Sequence, residues 1–352
     1  LANSNNQVGC VISASHNLFE DNGIKFFNKD GQKFSAELEK RIETKLTQEM
    51  VAVESINLGK ASRMNDAQGR YIEFCKSSFT DLDLNGLSIL LDCANGATYS
   101  VAPKVFSELG AKVETIGSSP DGININQNCG STNPDFLKEE IIKGTYDLGI
   151  AFDGDGDRIL IVNSEGDILD GDDILYILSN NLTADSGVVG TLMTNKALEI
   201  FFKKNDIPFL RADVGDKYVL QRLLEESWVL GGEPSGHIIC LDSAPTGDAI
   251  IAALNLLNAI KDNNFSVKKS LEGFQKFPQT LINLKVNNPN KIIVSDKFWS
   301  EVTRIERQLG QNGRVLIRPS GTEPLIRIMV ESDKSGASYD FCNALADLAQ
   351  II

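Results

Sequence analysis

The sequence predicts an α/β protein built as three consecutive α/β domains, the first incomplete, with mixed or parallel sheets, followed by a smaller α+β C-terminal domain. Three observations predict it. From Ala67 onward, apolar runs of strand length alternate with segments of helical period, the order that builds sheets covered by helices. The alternation restarts after Gly171. From Phe277 it gives way to neighbouring strand-like runs with a helix on either side, which suggests an antiparallel sheet. The 352 residues exceed what one core needs, and the expected boundaries are 1–67, 68–170, 171–276 and 277–352.

In order along the chain, Val8 to Ser13 reads as a short buried strand, and Leu38, Ile42, Leu46 and Met50 recur every fourth residue as one helix face. The second segment offers strands at 87–92, 111–116 and 147–152 and a helix at 101–109, which predicts a parallel sheet. The third offers strands at 188–193 and 208–213, a helix at 196–204 and a strongly apolar helix at 249–260. In the last segment strands are expected at 281–286, 314–318 and 325–331, with helices at 297–309 and 338–348.

Composition narrows the function. With 42% hydrophobic residues and no uninterrupted apolar stretch of about 18, the chain is expected to be soluble and cytoplasmic. A formal charge of −14 argues against nucleic acid or an anionic membrane as partner, because both are bound by clustered Lys and Arg. The six cysteines lack CxxC spacing and read as buried structural thiols of a reducing compartment. The first residues carry neither a methionine start nor the pattern of a signal peptide, so the chain is expected to begin partway through a longer protein.

Four segments carry chemistry. Asp153-Gly-Asp-Gly-Asp-Arg158 follows an apolar strand, placing three carboxylates on a glycine-permitted turn that can wrap a hard cation such as magnesium and leave room for a phosphate ligand. A solvated acidic turn is the bland alternative. An EF-hand fails in detail, since Arg158 stands where that loop needs glycine and Ser164 where it needs glutamate. Ser13-Ala-Ser-His-Asn17 offers a serine beside His16 at a strand end, either a nucleophile or an ordinary cap. Gly231-Gly-Glu-Pro-Ser-Gly-His237 supplies a carboxylate, a hydroxyl and an imidazole, groups suited to sugar hydroxyls and proton transfer, or else a polar hairpin. Arg318-Pro-Ser-Gly-Thr-Glu-Pro-Leu-Ile-Arg327 combines two guanidinium groups, two hydroxyls and a glycine, which makes a phosphate cradle or a surface loop.

Taken together, and with Asp92-Cys-Ala-Asn-Gly-Ala97 and Val214-Gly-Asp-Lys-Tyr-Val219, these segments resemble the α-D-phosphohexomutase superfamily over essentially the whole chain. Its phosphoserine, metal, sugar and phosphate loops follow in this order. The resemblance implies Ser15 as the phosphorylated nucleophile, and Asp153, Asp155 and Asp157 as ligands of Mg2+ beside the phosphoserine oxygen. It implies Lys25 and His237 as proton-transfer groups, with Arg158 adding charge next to the metal. Glu233 and Ser235 would hold sugar hydroxyls, and Arg318, Ser320, Gly321, Thr322 and Arg327 the non-reacting phosphate.

The implied reaction interconverts glucosamine 6-phosphate and glucosamine 1-phosphate through a bound glucosamine 1,6-bisphosphate, with glucose 1,6-bisphosphate as an alternative activator, and feeds nucleotide-sugar and cell-wall synthesis. A homodimer is one option for assembly. Within the family the alternatives are phosphoglucomutase or phosphomannomutase; outside it they are a phosphatase with Asp153 as nucleophile and a non-catalytic sugar-phosphate sensor. Pro234 stands where this amino-sugar subtype usually has glutamine, and Leu18 where many members have proline. The family also has a substantial arginine-bearing stretch before the serine loop, so the chain is read as N-terminally truncated and expected to be inactive alone.

Overall fold

The computed structural model of this chain describes residues 8–286, 288–319 and 324–352. They divide into two compact units. The first takes in the chain up to Met193 together with Leu210–Leu271, and the second comprises Thr194–Phe209 with Glu272–Ile352.

The first unit begins with an antiparallel hairpin of β1 (Val8–Ser13) and β2 (Gly23–Asn28), in which Val11 pairs with Lys25 and Ser13 with Gly23. β1 is not the buried strand expected: Ile12 is 73% exposed, because the two strands pair only with each other among the described residues. Ser35 caps helix α1 (Ala36–Leu46), accepting the Leu38 N–H. The expected apolar face is half realised. Leu38 and Ile42 are half-buried, whereas Leu46 is exposed and Met50 lies beyond the helix end.

A five-stranded sheet follows, in the order β4-β3-β5-β6-β7. Its strands are β3 (Ser88–Asp92), β4 (Lys112–Ile116), β5 (Leu148–Phe152), β6 (Ile159–Asn163) and β7 (Ile168–Leu169). Helices α2 (Ala67–Ser77), α3 (Ala102–Glu108) and α4 (Asp135–Lys143) accompany it, and α4 sets Leu137 and Ile141 into the core of the sheet. Every residue of β5 and β6 is buried, as strands covered on both faces must be. The three strands expected here, β3, β4 and β5, are parallel as the sequence predicts, and two further strands, β6 and β7, add antiparallel to them, so the sheet is mixed. The cause is the short connection 153–158, which permits a hairpin and is too short for a parallel crossover.

A second sheet of this unit, ordered β11-β10-β8-β9, contains β8 (Val188–Thr191), β9 (Phe209–Ala212), β10 (Leu230–Gly232) and β11 (Ile238–Cys240). Helix α5 (Gly171–Ser179) precedes it, and α6 (Lys196–Lys204), between β8 and β9, is counted with the second unit. α7 (Asp216–Glu226) buries Val219 and Leu223 in this core. α8 (Ala249–Ile260) is apolar nearly all round and accordingly buried nearly all round. Asp248 caps it, accepting the N–H groups of Ile250 and Ile251 at 3.0 Å each. The short α9 (Val267–Ser270) ends the unit.

In the second unit, β12 (Gln279–Lys285), β13 (Gly313–Pro319) and β14 (Leu325–Ser332) form the expected antiparallel sheet, in the order β12-β14-β13. The short α10 (Pro289–Ile293), α11 (Asp296–Leu309) and α12 (Ala337–Ile351) complete it. Phe298, Val302, Ile305 and Leu309 form the buried stripe of α11, and Cys342, Leu345, Ala346 and Ala349 that of α12. Fully buried Glu331 takes a two-point grip from Arg314, at 2.7 and 3.2 Å. Five of the six cysteines are buried as expected. Cys10 is exposed, because it sits on the uncovered β1.

Candidate functional site

The serine loop leaves β1 through a tight turn closed by the Asn17 N–H donating to the Ala14 carbonyl at 2.9 Å. Within it Ser15 has φ 54°, a left-handed conformation that non-glycine residues avoid unless their surroundings impose it. The Ser15 N–H donates to Ser13 Oγ at 2.9 Å. From the other side Asn126 Nδ2 donates to the carbonyls of Ser15 at 2.8 Å and Asn17 at 2.7 Å.

The acidic loop joins β5 to β6, with Phe152 and Ile159 paired at its base. Asp153 is completely buried, and one of its oxygens accepts the N–H groups of Asp157 and Arg158 at 3.0 Å each, so it organises the loop. Asp155 and Asp157 each give one oxygen to Lys25 Nζ, at 2.5 and 3.3 Å. Each of the three aspartates keeps one buried oxygen without a hydrogen-bond partner, and ligand oxygens from all three lie within 4.8 Å of one another. Buried carboxylate oxygens are ordinarily satisfied, so three orphans converging in one cluster fit a hard divalent cation such as magnesium.

Electrostatics agree with that fit. Burial, reinforced by Asp157 and Asp155, pushes the Asp153 carboxyl well above its usual range, as expected for three carboxylates short of positive charge. Burial also works against Asp157, but His237, Lys25 and Arg158 outweigh it and hold that carboxyl far below the ordinary range. Burial opposes the Lys25 charge too, yet Asp157 and Asp155 raise its pKa, so Lys25 is an ammonium held on the acidic loop. His16 is lowered by burial and then by Arg158, which favours the neutral imidazole.

The segment 233–237 turns β10 into β11. The Gly236 N–H donates to the Glu233 carbonyl at 3.0 Å, giving a four-residue turn with Pro234 at its second position. Gly236 has φ 90° and its carbonyl accepts the Ile159 N–H at 3.0 Å, so this turn is stitched to the residue that follows the acidic loop. A Cβ at Gly236 would run into the Ile159 backbone. Glu233 is buried and accepts the Gly215 N–H at 2.9 Å, while Ser235 is exposed. His237 is buried with Nδ1 3.6 Å from Asp157 and Nε2 3.6 Å from Asp216, ion-pair distances too long for hydrogen bonds.

The first unit therefore brings together Ser15, Lys25, Asp153, Asp155, Asp157 and His237, with Glu233 and Ser235 on the adjoining turn. Arg158 joins them, its Nε 4.0 Å from Asp157. Sequence reasoning missed Asn126, Asp216 and Lys33. Asp216 opens α7, faces His237 and pairs with Lys33. Its signal was the segment Val214 to Val219, noted only as family text; that of Asn126 was the asparagine-rich run 124–128.

In the second unit Arg318 and Arg327 are direct cross-strand partners on β13 and β14, hence on one face of that sheet. Like charges placed directly opposite destabilise a sheet, which suits a pair awaiting an anion. Ser320, Gly321 and Thr322 lie outside the described residues.

A serine loop set against a buried carboxylate cluster is an arrangement suited to phosphoryl transfer. The chain belongs to the phosphoglucomutase/phosphomannomutase family: the models of its alpha/beta/alpha domains I, II and III match residues 2–52, 69–166 and 170–277, and that of its C-terminal domain matches 281–348. Phosphoglucosamine mutase of Legionella pneumophila (strain Corby) is 52% identical over 344 residues, which cover 96% of this chain and 76% of that protein. Phosphoglucosamine mutase of Cronobacter sakazakii is 49% identical, over 98% of this chain and 79% of that one. Among solved structures, a phosphoglucomutase/phosphomannomutase family protein of Burkholderia thailandensis superposes with a TM-score of 0.78 at 21% identity, covering 98% of this chain and 77% of that one. N-acetylphosphoglucosamine mutase of Aspergillus fumigatus, in complex with GlcNAc-6P and magnesium, does so with 0.76 at 17% identity, covering 98% and 89%. Among the described residues no helix is long and apolar enough to cross a membrane.

Proposed function

We propose that the chain is a cytoplasmic phosphosugar mutase that interconverts glucosamine 6-phosphate and glucosamine 1-phosphate through a phosphoserine at Ser15. The observation that carries this reading is the convergence of the Ser15 loop, Lys25 and the three aspartates. Support comes also from relatives named phosphoglucosamine mutase at about half identity and from solved neighbours that hold GlcNAc-6P with magnesium or glucose 1,6-bisphosphate.

Phosphorylated Ser15 gives its phosphoryl group to the free hydroxyl of a sugar monophosphate: the P–Oγ bond breaks, a P–O bond to the sugar forms, and the hydroxyl proton leaves to a base. The resulting 1,6-bisphosphate turns over and returns its other phosphate to Ser15 Oγ. Held by Asp153, Asp155 and Asp157, magnesium would supply charge neutralisation at the phosphoryl group. Lys25 adds positive charge at the same place. Its raised pKa suits it to donate hydrogen bonds rather than accept a proton while it rests on the aspartates, which leaves His237 the better base of the two. Glu233 and Ser235 orient the sugar, and Arg318 with Arg327 holds the phosphate that does not react. Residues 1–67, 68–170, 171–276 and 277–352 are the domain bounds we propose. A homodimer is the assembly we propose.

The test is turnover of glucosamine 6-phosphate with magnesium and catalytic glucosamine 1,6-bisphosphate, beside the glucose and mannose phosphates. Formation of glucosamine 1-phosphate in preference to the other products is expected; absence of turnover on all three sugars overturns the reading. The phosphatase alternative is separated by the phosphoenzyme, since an aspartyl phosphate is lost in mild base and a phosphoserine is kept.

A further inference from the structure

The Ser15 main chain lies directly against the acidic loop at Gly154, and a side chain that belongs to neither loop holds it there. Asn126 is buried and itself left-handed, with φ 57°, and its one amide nitrogen reaches two carbonyls, those of Ser15 and Asn17, at 2.8 and 2.7 Å. Both partners are acceptors, so the orientation of the amide is fixed: only the nitrogen can face them. The backbone of Asn126 is anchored in turn, its N–H donating to the Ala94 carbonyl at 2.8 Å. Nearby, the Ala97 N–H donates to the carbonyl of Gly154 in the metal loop, also at 2.8 Å. At Gly154 the three parts meet, because a Cβ there would collide at once with the Ser15 carbonyl, Ile125 Cδ1 and Asn126 Nδ2.

We infer that Asn126 is a positioning residue for phosphoryl transfer: its amide clamps Ser15 in the left-handed conformation against the Asp153–Asp157 loop. The inference rests on the proposed role of Ser15. A single carboxamide serves two carbonyls from a loop that is otherwise closed by only one turn hydrogen bond and the Ser13 side chain. Without it, Ser15 is free to relax out of the disfavoured region, and its Oγ leaves the distance and angle that transfer requires.

The test uses the full-length protein with two substitutions. Asn126→Asp keeps the shape and the tolerance for left-handed φ but sets oxygen against oxygen; Asn126→Gly keeps the backbone and deletes the clamp. Each should lower kcat by about 100-fold, the cost of a displacement near 1 Å, while KM moves by less than about threefold. Hydrogen exchange should accelerate in the peptide spanning 13–17 and stay at the wild-type rate elsewhere. Unchanged kcat with unchanged exchange overturns the inference. So does global loss of folding in both variants, or a fall in kcat matched by a rise in KM and faster exchange throughout, each of which marks a purely structural residue. If the wild type itself fails to convert glucosamine phosphates, the proposed function falls, and the local exchange still reports whether the clamp exists.

Discussion

Tyr71→Phe should weaken the first unit in a manner that depends on pH. Tyr71 on α2 donates its hydroxyl to Asp248 Oδ2 at 2.8 Å, while Asp248 Oδ1 accepts the two amides of α8. Three donors on one carboxyl favour its ionised form. Burial raises its pKa above the ordinary aspartate range, and the amides and Tyr71 pull the other way. Removing the hydroxyl leaves Oδ2 without that donor and adds no bulk. A hydrogen bond to a charged group contributes about 1.5–3 kcal/mol when buried, and the partial exposure of Asp248 argues for about 1–2 kcal/mol. For a chain of this size that is a fall in Tm of about 1–3 °C. The variant loses a group that favours ionisation, so its folded pKa lies above that of the wild type. The stability difference is therefore complete above the variant's pKa and fades as pH falls through the wild type's, where both carboxyls are protonated. Melting both proteins by calorimetry at about pH 8 and about pH 4.5 checks this. Equal Tm values in alkali, or a deficit that grows in acid, would refute it.

Ser15→Ala should abolish mutase turnover and phosphate incorporation while sugar-phosphate binding, measured by calorimetry, survives; retained turnover would end the serine mechanism. Magnesium at about 100 times its Kd should stabilise the wild type by about 2.7 kcal/mol, and chelation should reverse it. Asp155→Asn should shrink that gain together with activity, so an undiminished metal response would remove Asp155 from the ligand set. Burial pushes Cys75, Cys93, Cys129 and Cys240 up to about 12 and Cys342 to about 11, whereas Cys10 is exposed. A thiol reagent should accordingly modify one cysteine rapidly in the native chain and all six after denaturation, and a second fast thiol would contradict the packing.

Legibility followed the range of the interactions involved. The apolar run of α8 and the strand at 148–152 appeared where periodicity placed them, because their burial is written in consecutive residues. The acidic loop was legible for the same reason: its three carboxylates span five positions and need no distant partner to be noticed. Asn126 was not, since its meaning lies 111 residues away at Ser15 and 109 away at Asn17. Asp216 was hidden likewise, as a lone carboxylate at a helix start reads as a dipole partner until Lys33 and His237 are seen beside it. The antiparallel β6 is absent from the sequence reading because an apolar run carries no direction; the brevity of 153–158 is the local sign of the reversal.

The proposed role of the turn at 233–236 bears on sugar preference. Pro234 occupies its second position, where the ring fixes φ near the value the turn needs, and its carbonyl accepts the Gly171 N–H at 3.2 Å. A glutamine there would have offered an amide to the sugar; proline offers no donor, and its carbonyl is already engaged by α5. If the turn contacts the sugar as proposed, discrimination between an amino and a hydroxyl substituent would come from the residues on either side. Glu233 has one oxygen committed to the Gly215 N–H, and Ser235 stands exposed at the tip. A carboxylate attracts an ammonium more strongly than a hydroxyl, so a turn made rigid by proline and carrying a buried glutamate retains a physical basis for favouring the amino sugar without the amide.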